Sequence, residues 1–319
     1  MSFTISNLSI SIAAKTCLSA SCLSLALIAC SASDSANEQA SQHANTPSET
    51  KVVMAYGRHV PERKDDFTWE NDKVAFRVYG PAAKPTGISS GVDAWLKKVN
   101  YSIIDKWYAG YLKGISYHED RGEGYDPYHT GPSRGVGGSA VWIDGKPYAA
   151  SNWLDYTIHE NKGDMVSFTL TYTVQTPLGQ VDEDKTITLK LGEQMYHVSS
   201  TYKLDGQPAR LPIAIGLATH DEKATVSSVQ ETGLISAWEM IDEQGLGSAV
   251  AMDPVLVERI EHLPKPEVDA SHIWLFTHTD AQGHLEFRAG FGWQGAGEFD
   301  SEKAWLTYLD QQSTQWTWK

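Results

Sequence analysis

Between Tyr117 and Trp142 the chain reads YHEDRGEGYDPYHTGPSRGVGGSAVW. Six glycines and two prolines break any regular period there. Among them stand His118, Asp120, Arg121, Glu123, Tyr125, Asp126, Tyr128, His129 and Arg134. A neutral His accepts a proton near neutral pH, a Tyr donates or relays one, and an Arg grips a carboxylate with two parallel hydrogen bonds. His118, Tyr128 and Arg134 supply one of each, and Asp120 or Asp126 can orient the His. So much chemistry in an aperiodic stretch reads as a loop held by a scaffold. The structural alternatives are a Gly-rich surface loop, or a calcium loop on Asp120, Glu123 and Asp126 that lacks the EF-hand spacing.

A second candidate stretch is Arg58 to Pro81, RHVPERKDDFTWENDKVAFRVYGP. Its end alternates, with Val74, Phe76 and Val78 on one face and Lys73, Ala75, Arg77 and Tyr79 on the other. If the second face lines a groove, Arg77 can hold a carboxylate or sulfate; if it meets bulk water, Arg77 is an ordinary surface charge. Trp69 is a sugar platform or, by the commoner outcome, core. From Gly57 to Lys113 there are 10 Lys plus Arg against 7 Asp plus Glu; from Gly114 to Lys319, 14 against 30. The early segment is therefore the place to meet an anionic ligand, unless its charges merely pair with each other. The whole chain of 319 residues carries a formal net charge of −14, which argues against a nucleic-acid binder.

No HExxH motif is present, and Gly135-Val136-Gly137-Gly138 lacks the context of a nucleotide fingerprint. His220 follows Gly216-Leu217-Ala218-Thr219 at a strand end, where a structural role is commoner than a base. His272, His278 and His284 lie in or beside a hairpin, with Thr279–Gly283 as its loop.

The elements that must position these groups are mostly strands. Alternation marks Met165 to Val174, Lys185 to Leu191, His197 to Leu204, His272 to His278 and His284 to Ala289, with Pro212 to Leu217 and Lys223 to Val229 as further strands. A short helix is expected from Ser301, capped by Asp300 or Ser301, and another over Asp93 to Val99. Many strands and few helices predict a mainly β fold, a large antiparallel β-sandwich. The cysteines are Cys17, Cys22 and Cys30, so the body has no disulfide, thiolate metal site or Cys nucleophile.

The first 29 residues hold no acid, one base (Lys15) and a short apolar run ending Leu27-Ile28-Ala29-Cys30. This resembles the lipobox of bacterial lipoproteins, with the leader at 1–29 removed and Cys30 lipidated; an ordinary secretory signal is the plainer alternative. Residues 30–51 are Ser/Ala/Asn/Gln-rich and read as a flexible tether. The rest, 52–319, reads as one β-sandwich catalytic domain. The expected location is the cell envelope, periplasmic or on the outer-membrane surface, with membrane contact only through the lipid at Cys30.

VPERKDDFTWENDKVAFRVYGP, SGVDAWLKKVNYSIIDKWY (Ser90 to Tyr108), YHEDRGEGYDPYHTGPSRGVGG, GLATHD (Gly216 to Asp221) and GFGW (Gly290 to Trp293) together resemble a family of bacterial secreted proteins with a domain of unknown function. The resemblance runs from about Tyr56 to the C-terminus. It implies a galactose-mutarotase-like supersandwich. It also implies kinship with ulvan oligosaccharide dehydratases, which remove water from a non-reducing-end glucuronic or iduronic acid and leave a 4,5-unsaturated uronate. That β-elimination needs a neutralised carboxylate, a base for the C5 proton and an acid for the departing 4-hydroxyl. His118, Tyr128 and Arg134 fit those tasks. Substrate contacts are expected from Arg63, Trp69, Arg77, Lys97, Lys98, Lys106, Glu123, Asp126, His220 and Arg288. The expected partner is an anionic oligosaccharide. No organic cofactor is required, and a divalent metal stays open as neutraliser. A non-catalytic glycan-binding lipoprotein and an aldose or uronate epimerase are the other readings of the same scaffold.

Cys30→Ala should release the protein from membranes. Fractionation of the variant with membranes would overturn the lipobox reading.

Overall fold

The structure is a computed structural model and describes residues 51–86 and 89–318. The leader, Cys30 and the tether up to Thr50 lie outside them. Among the described residues the strands form three antiparallel sheets. The first runs Tyr56–Val60, Asp66–Glu70, Ala75–Val78, Asp93–Lys97, Gly124–Tyr125 in spatial order. The largest runs Thr225–Val229, Leu234–Ile241, Gln244–Ala251, His284–Trp293, Met195–Leu204, Gly179–Lys190, Met165–Thr176, Asp155–Glu160, with Gln207–Pro208 beside Met195–Leu204. The third runs Arg259–Leu263, His272–His278, Pro212–Ala218, Val136–Ile143, Lys146–Tyr148.

The main core gathers one face of each sheet. Phe67, Trp69 and Phe76 of the first, Phe168, Tyr196 and Phe287 of the largest, and Ile213, Ile215 and Leu275 of the third are buried together. Strands with one face in this core alternate cleanly, which is why Met165–Thr176 and Met195–Leu204 are readable from sequence. Trp69 belongs here: it is fully buried, stacked on Phe76 and tilted against Phe168, so it is not a sugar platform.

The first sheet has a second buried face. Helix α1, Ile104–Tyr111, lies on it and packs Ile104, Trp107 and Tyr108 against Tyr56, Val60, Ala75, Trp95 and Tyr117. No side chain of its own caps α1. Glu70 does so from the neighbouring strand, accepting from the backbone amides of Ile103 at 2.9 Å and Ile104 at 3.1 Å. Lys97 reaches the same carboxylate at 2.7 Å and donates to the carbonyls of Asn71 and Tyr101. Both charges are fully buried. Lys97 therefore anchors the fold and is not placed to bind a soluble anion. This double burial also explains why Asp93 to Val99 is a strand and not the expected helix. With Ala94 and Leu96 in the main core and Asp93, Trp95 and Lys97 under α1, polar and apolar no longer alternate with period two.

Two other expectations change. Thr279–Gly283 does not close a hairpin: His272–His278 pairs within the third sheet and His284–Trp293 within the largest, so the loop crosses between sheets. Gly135 to Trp142 is not loop either. Val136–Ile143 is a buried strand of the third sheet. Gly135 precedes it at φ +53, where a Cβ would run into the Val92 carbonyl.

Helix α2, Glu302–Ser313, begins as expected: the Ser301 side chain accepts from the Ala304 amide. Its Trp305 and Leu309 are buried with Leu234, Ala249 and Ala251 on the outer face of the largest sheet.

Removing one member of a buried ion pair strands the other. Lys97→Met should cost about 3–5 kcal/mol of unfolding free energy. Denaturant titration checks this; a change no larger than that of an exposed Lys substitution would show Glu70 to be satisfied by the helix amides alone.

Candidate functional site

The strands that carry Asp66, Arg77 and Asp93 lie side by side, and alternation sets all three side chains on the α1 face. Arg77 is fully buried. Its Nη2 pairs with Asp93 Oδ2 and with Asp126 Oδ2 at 3.0 Å, and donates to the Tyr79 hydroxyl at 2.7 Å. Its Nη1 donates to the Tyr117 hydroxyl at 3.1 Å and lies 4.0 Å from Asp66. Rings of Tyr79 and Trp95 stack on the guanidinium. Arg77 thus faces neither an open groove nor bulk water; three acids of its own chain occupy it.

Arg63 borders this cluster. Its Nη1 lies 3.4 Å from Asp66 Oδ2, and its Nε and Nη1 make no hydrogen bond. Tyr108 donates to Asp66 at 3.1 Å. Burial pushes the Asp66 carboxyl up to about 6, against the pull of Arg77 and Arg63. Burial and the Asp93 charge raise Asp126 well above the carboxylate range. Oδ1 atoms of Asp66, Asp93 and Asp126 and Nε of Arg77 are buried without a hydrogen-bond partner in the structure.

His118 sits at the rim with its side chain 57% exposed, its ring against Tyr117. Its Nδ1 lies 2.7 Å from the Asp126 carbonyl and 3.5 Å from Asp126 Oδ2. A carbonyl only accepts, so Nδ1–H is the donor in this contact and Nε2 points away from it. Asp126, not Asp120, orients the His. Asp120 pairs with Lys98 and accepts from the amides of Gly122 and Gly124.

Tyr128, two residues beyond Asp126, is buried, and its hydroxyl has no hydrogen-bond partner. Its ring meets His220 edge-on at 4.6 Å. His220 Nδ1 lies 2.7 Å from both Glu239 oxygens, and Nε2 lies 2.9 Å from the His129 carbonyl. Both ring nitrogens donate, so the ring is an imidazolium that ties the Tyr128–His129 backbone to the largest sheet. Burial alone would lower its pKa, but the Glu239 hydrogen bond and charge outweigh burial and raise it. His220, Asp221 and Glu222 are consecutively left-handed, with φ of +45, +57 and +67. That strained turn aims the ring. His220 is a clamp and not a free substrate ligand.

Arg134 is buried elsewhere. Its guanidinium donates to Ser89 and Ser90 hydroxyls and the Pro132 carbonyl, and its stem lies on Gly216, where a Cβ would come within 3.0 Å. Burial without an acid pulls its pKa down to about 10. Its backbone amide donates to His272 Nε2, whose Nδ1 donates to the Ala270 carbonyl; burial lowers His272 to about 4. Among the described residues no hydrogen bond or ring contact joins any two of His118, Tyr128 and Arg134. Lys106, on α1, pairs with Glu123 at 2.6 Å, and Arg288 lies on the outer face of the largest sheet beside Glu193 and Trp316. The structure therefore gathers Arg63, Arg77, His118 and Asp126, with Tyr128 close in sequence, and leaves Lys98, Lys106, Glu123 and Arg288 outside. Asp66, Asp93, Tyr79 and Glu239 are the members that sequence reasoning did not single out. Among the described residues no group of three or more His, Cys, Asp or Glu side chains is arranged to hold a metal ion.

A family model described as "Domain of unknown function (DUF4861)" matches residues 3–318. "Uncharacterized protein P7" of Formosa agariphila is 37% identical over 275 residues, 82% of this chain and 67% of that protein. Solved structures with partial likeness include a putative aldose 1-epimerase from Klebsiella pneumoniae (9% identity, 74% of this chain and 82% of that one, TM-score 0.37). A GH36 alpha-galactosidase from Geobacillus stearothermophilus gives 8% identity and a TM-score of 0.36, covering 74% of this chain. A 4-alpha-glucanotransferase from Thermococcus litoralis gives 9% and 0.34, covering 75%. This chain spans 40% of each of those two larger enzymes.

The His220 clamp has a pH signature. With its pKa raised on folding, its stabilisation is fully present below pH about 6.5 and is lost as pH rises through the folded value. Thermal midpoints should fall across the neutral-to-alkaline range in the native chain, and Glu239→Gln should flatten that fall. Parallel pH profiles for the two proteins would refute the clamp.

Proposed function

The chain belongs to the DUF4861 family, and from that premise and the site's geometry we propose that it is a dehydratase acting on the non-reducing-end uronic acid of an anionic, ulvan-type oligosaccharide. The observation that carries the reading is an exposed His118 held by its Nδ1 on the Asp126 carbonyl, at the rim of a buried cluster that Arg63 also borders.

The C5 proton of a uronate is weakly acidic because it lies next to a carboxylate. Arg63, whose side chain keeps 15% of its surface exposed at the border of the cluster, takes that carboxylate. Arg134 had been the candidate for this task, but its donors are directed to Ser89, Ser90 and Pro132. His118 Nε2 removes the C5 proton, with Nδ1–H held on the Asp126 carbonyl so that the ring cannot turn over. Tyr128, whose buried hydroxyl substrate must uncover, is the assigned proton source for the leaving 4-hydroxyl. Its hydroxyl is committed to no other group, and burial holds the proton on until it is used. The step releases water and leaves a C4–C5 double bond. It consumes no redox equivalent.

Carriage to the cell envelope by a lipid at Cys30 would place this activity where polysaccharide fragments arrive.

The test is incubation with saturated uronate-terminated oligosaccharides, read by mass for loss of one water and by the absorbance of the unsaturated uronate. His118→Ala should lower turnover by about 10²–10⁴-fold with the thermal midpoint unchanged. Arg63→Met should raise KM more than it lowers kcat. Substrate bound with its mass unchanged would favour a glycan-binding protein, and recovery of the C5 epimer would favour an epimerase.

A further inference from the structure

Two guanidinium groups, Arg63 and Arg77, face three carboxyl groups, Asp66, Asp93 and Asp126. The side chains of Arg77, Asp66, Asp93 and Asp126 are at most 2% exposed. If every group were ionised, the cluster would hold one uncompensated negative charge away from water. We propose that Asp93 and Asp126 share one proton across the Arg77 guanidinium, so that the cluster is neutral and Arg63, with 15% of its side chain exposed, is the cation left to meet an anionic substrate.

Geometry singles out this pair. Both place Oδ2 on the same nitrogen, Arg77 Nη2, so a single buried cation faces the two of them. Both leave Oδ1 buried without a partner, as Asp66 also does, so the shared Nη2 contact is what sets the pair apart. Two carboxylates so close in a dry site do not both ionise. Asp66 is different: it faces Arg63 and Arg77 Nη1 and accepts from Tyr108.

The surrounding groups leave few other places for the proton. Tyr79, Tyr108 and Tyr117 are kept protonated by burial, so none adds charge. From the loop above, His118 Nδ1 is 3.5 Å from Asp126 Oδ2. A proton gained by His118 places a positive charge beside the pair and loosens its proton. The rim base and the buried pair are therefore coupled, and the pair's macroscopic titration belongs to both acids. The burial of Asp126 and its proximity to Asp93 act in the same direction.

The inference deepens the uronate reading and rests on it only for the identity of the anion. Infrared spectra of the full chain, with aspartate carboxyl carbons isotopically labelled, test it without substrate. At neutral pH the native protein should show a protonated-carboxyl C=O band that shifts with the label. Asp93→Asn and Asp126→Asn should each remove it, and Asp120→Asn should keep it. No labelled band in the native protein, or a band that survives both substitutions, overturns the proposal. The native spectrum decides even if a variant does not fold. Binding of free glucuronate by titration calorimetry is the second arm. Affinity should fall about tenfold as the band titrates away, the effect of about one pKa unit of interaction. Asp126→Asn, with one fixed charge, should lose no such affinity. If the native affinity stays level while the band vanishes, the link between the shared proton and anion binding is overturned. If glucuronate does not bind at any pH, the uronate reading fails, and the band still decides the shared proton.

Discussion

Everything at the candidate site depends on one buried cation. The Arg77 guanidinium joins the Asp66–Glu70, Ala75–Val78 and Asp93–Lys97 strands to the loop that carries His118 and Asp126. A charge out of water is tolerated only when it is paired and hydrogen-bonded, so Arg77 dictates the company it keeps. It draws in two acids from its flanking strands and one from the loop, and the hydroxyls of Tyr79 and Tyr117 complete its shell. The loop is thereby pinned to the sheet at Asp126, and His118 is held by that residue's carbonyl. The exposed His118 therefore owes its orientation to a cation that solvent never meets.

The same face carries a second buried pair, Glu70 with Lys97, and the two pairs divide the labour. Glu70 and Lys97 fasten α1, because the carboxylate takes the amides at the helix start and the ammonium takes the carbonyls before it. Every acceptor in that arrangement is satisfied by the chain itself. Around Arg77 the satisfaction is incomplete, with several buried oxygen and nitrogen atoms unpaired. Buried polar atoms are nearly always paired in folded proteins, so the concentration of unpaired ones sets the Arg77 cluster apart from the Glu70–Lys97 fastening. The contrast matters because both networks are made of the same residue types on one sheet face.

On the other side of Tyr128 the loop is tied to the largest sheet by the His220 imidazolium, between Glu239 and the His129 carbonyl. Arg77 and His220 thus grip the Asp126–His129 segment from two sheets. This leaves the segment little freedom although it has no regular secondary structure. A loop so held can present acid and base groups at a fixed spacing, which is the condition for acid–base catalysis.

The sequence by itself determined the strands of the main sandwich, the cap and start of α2, and the separation of Val74, Phe76 and Val78 from Arg77 and Tyr79. These follow from local rules: period-two alternation, a serine before a helix, and side chains that point to opposite faces. It also marked the His118–Arg134 stretch as rich in chemistry. Only the tertiary structure decided which of those groups work together. Trp95 and Lys97 erase the alternation of their strand because α1 covers its second face, and α1 itself is capped by Glu70 from far along the chain. Arg134 departs from His118 because Val136–Ile143 enters the third sheet and carries it away, and Arg63 takes its place at the cluster through Asp66. Lys97 looks like a free cation in one dimension and is the most enclosed lysine of the described chain in three. Pairing of buried charges is a long-range choice made by packing, and no local pattern in the chain encodes which acid will meet which base.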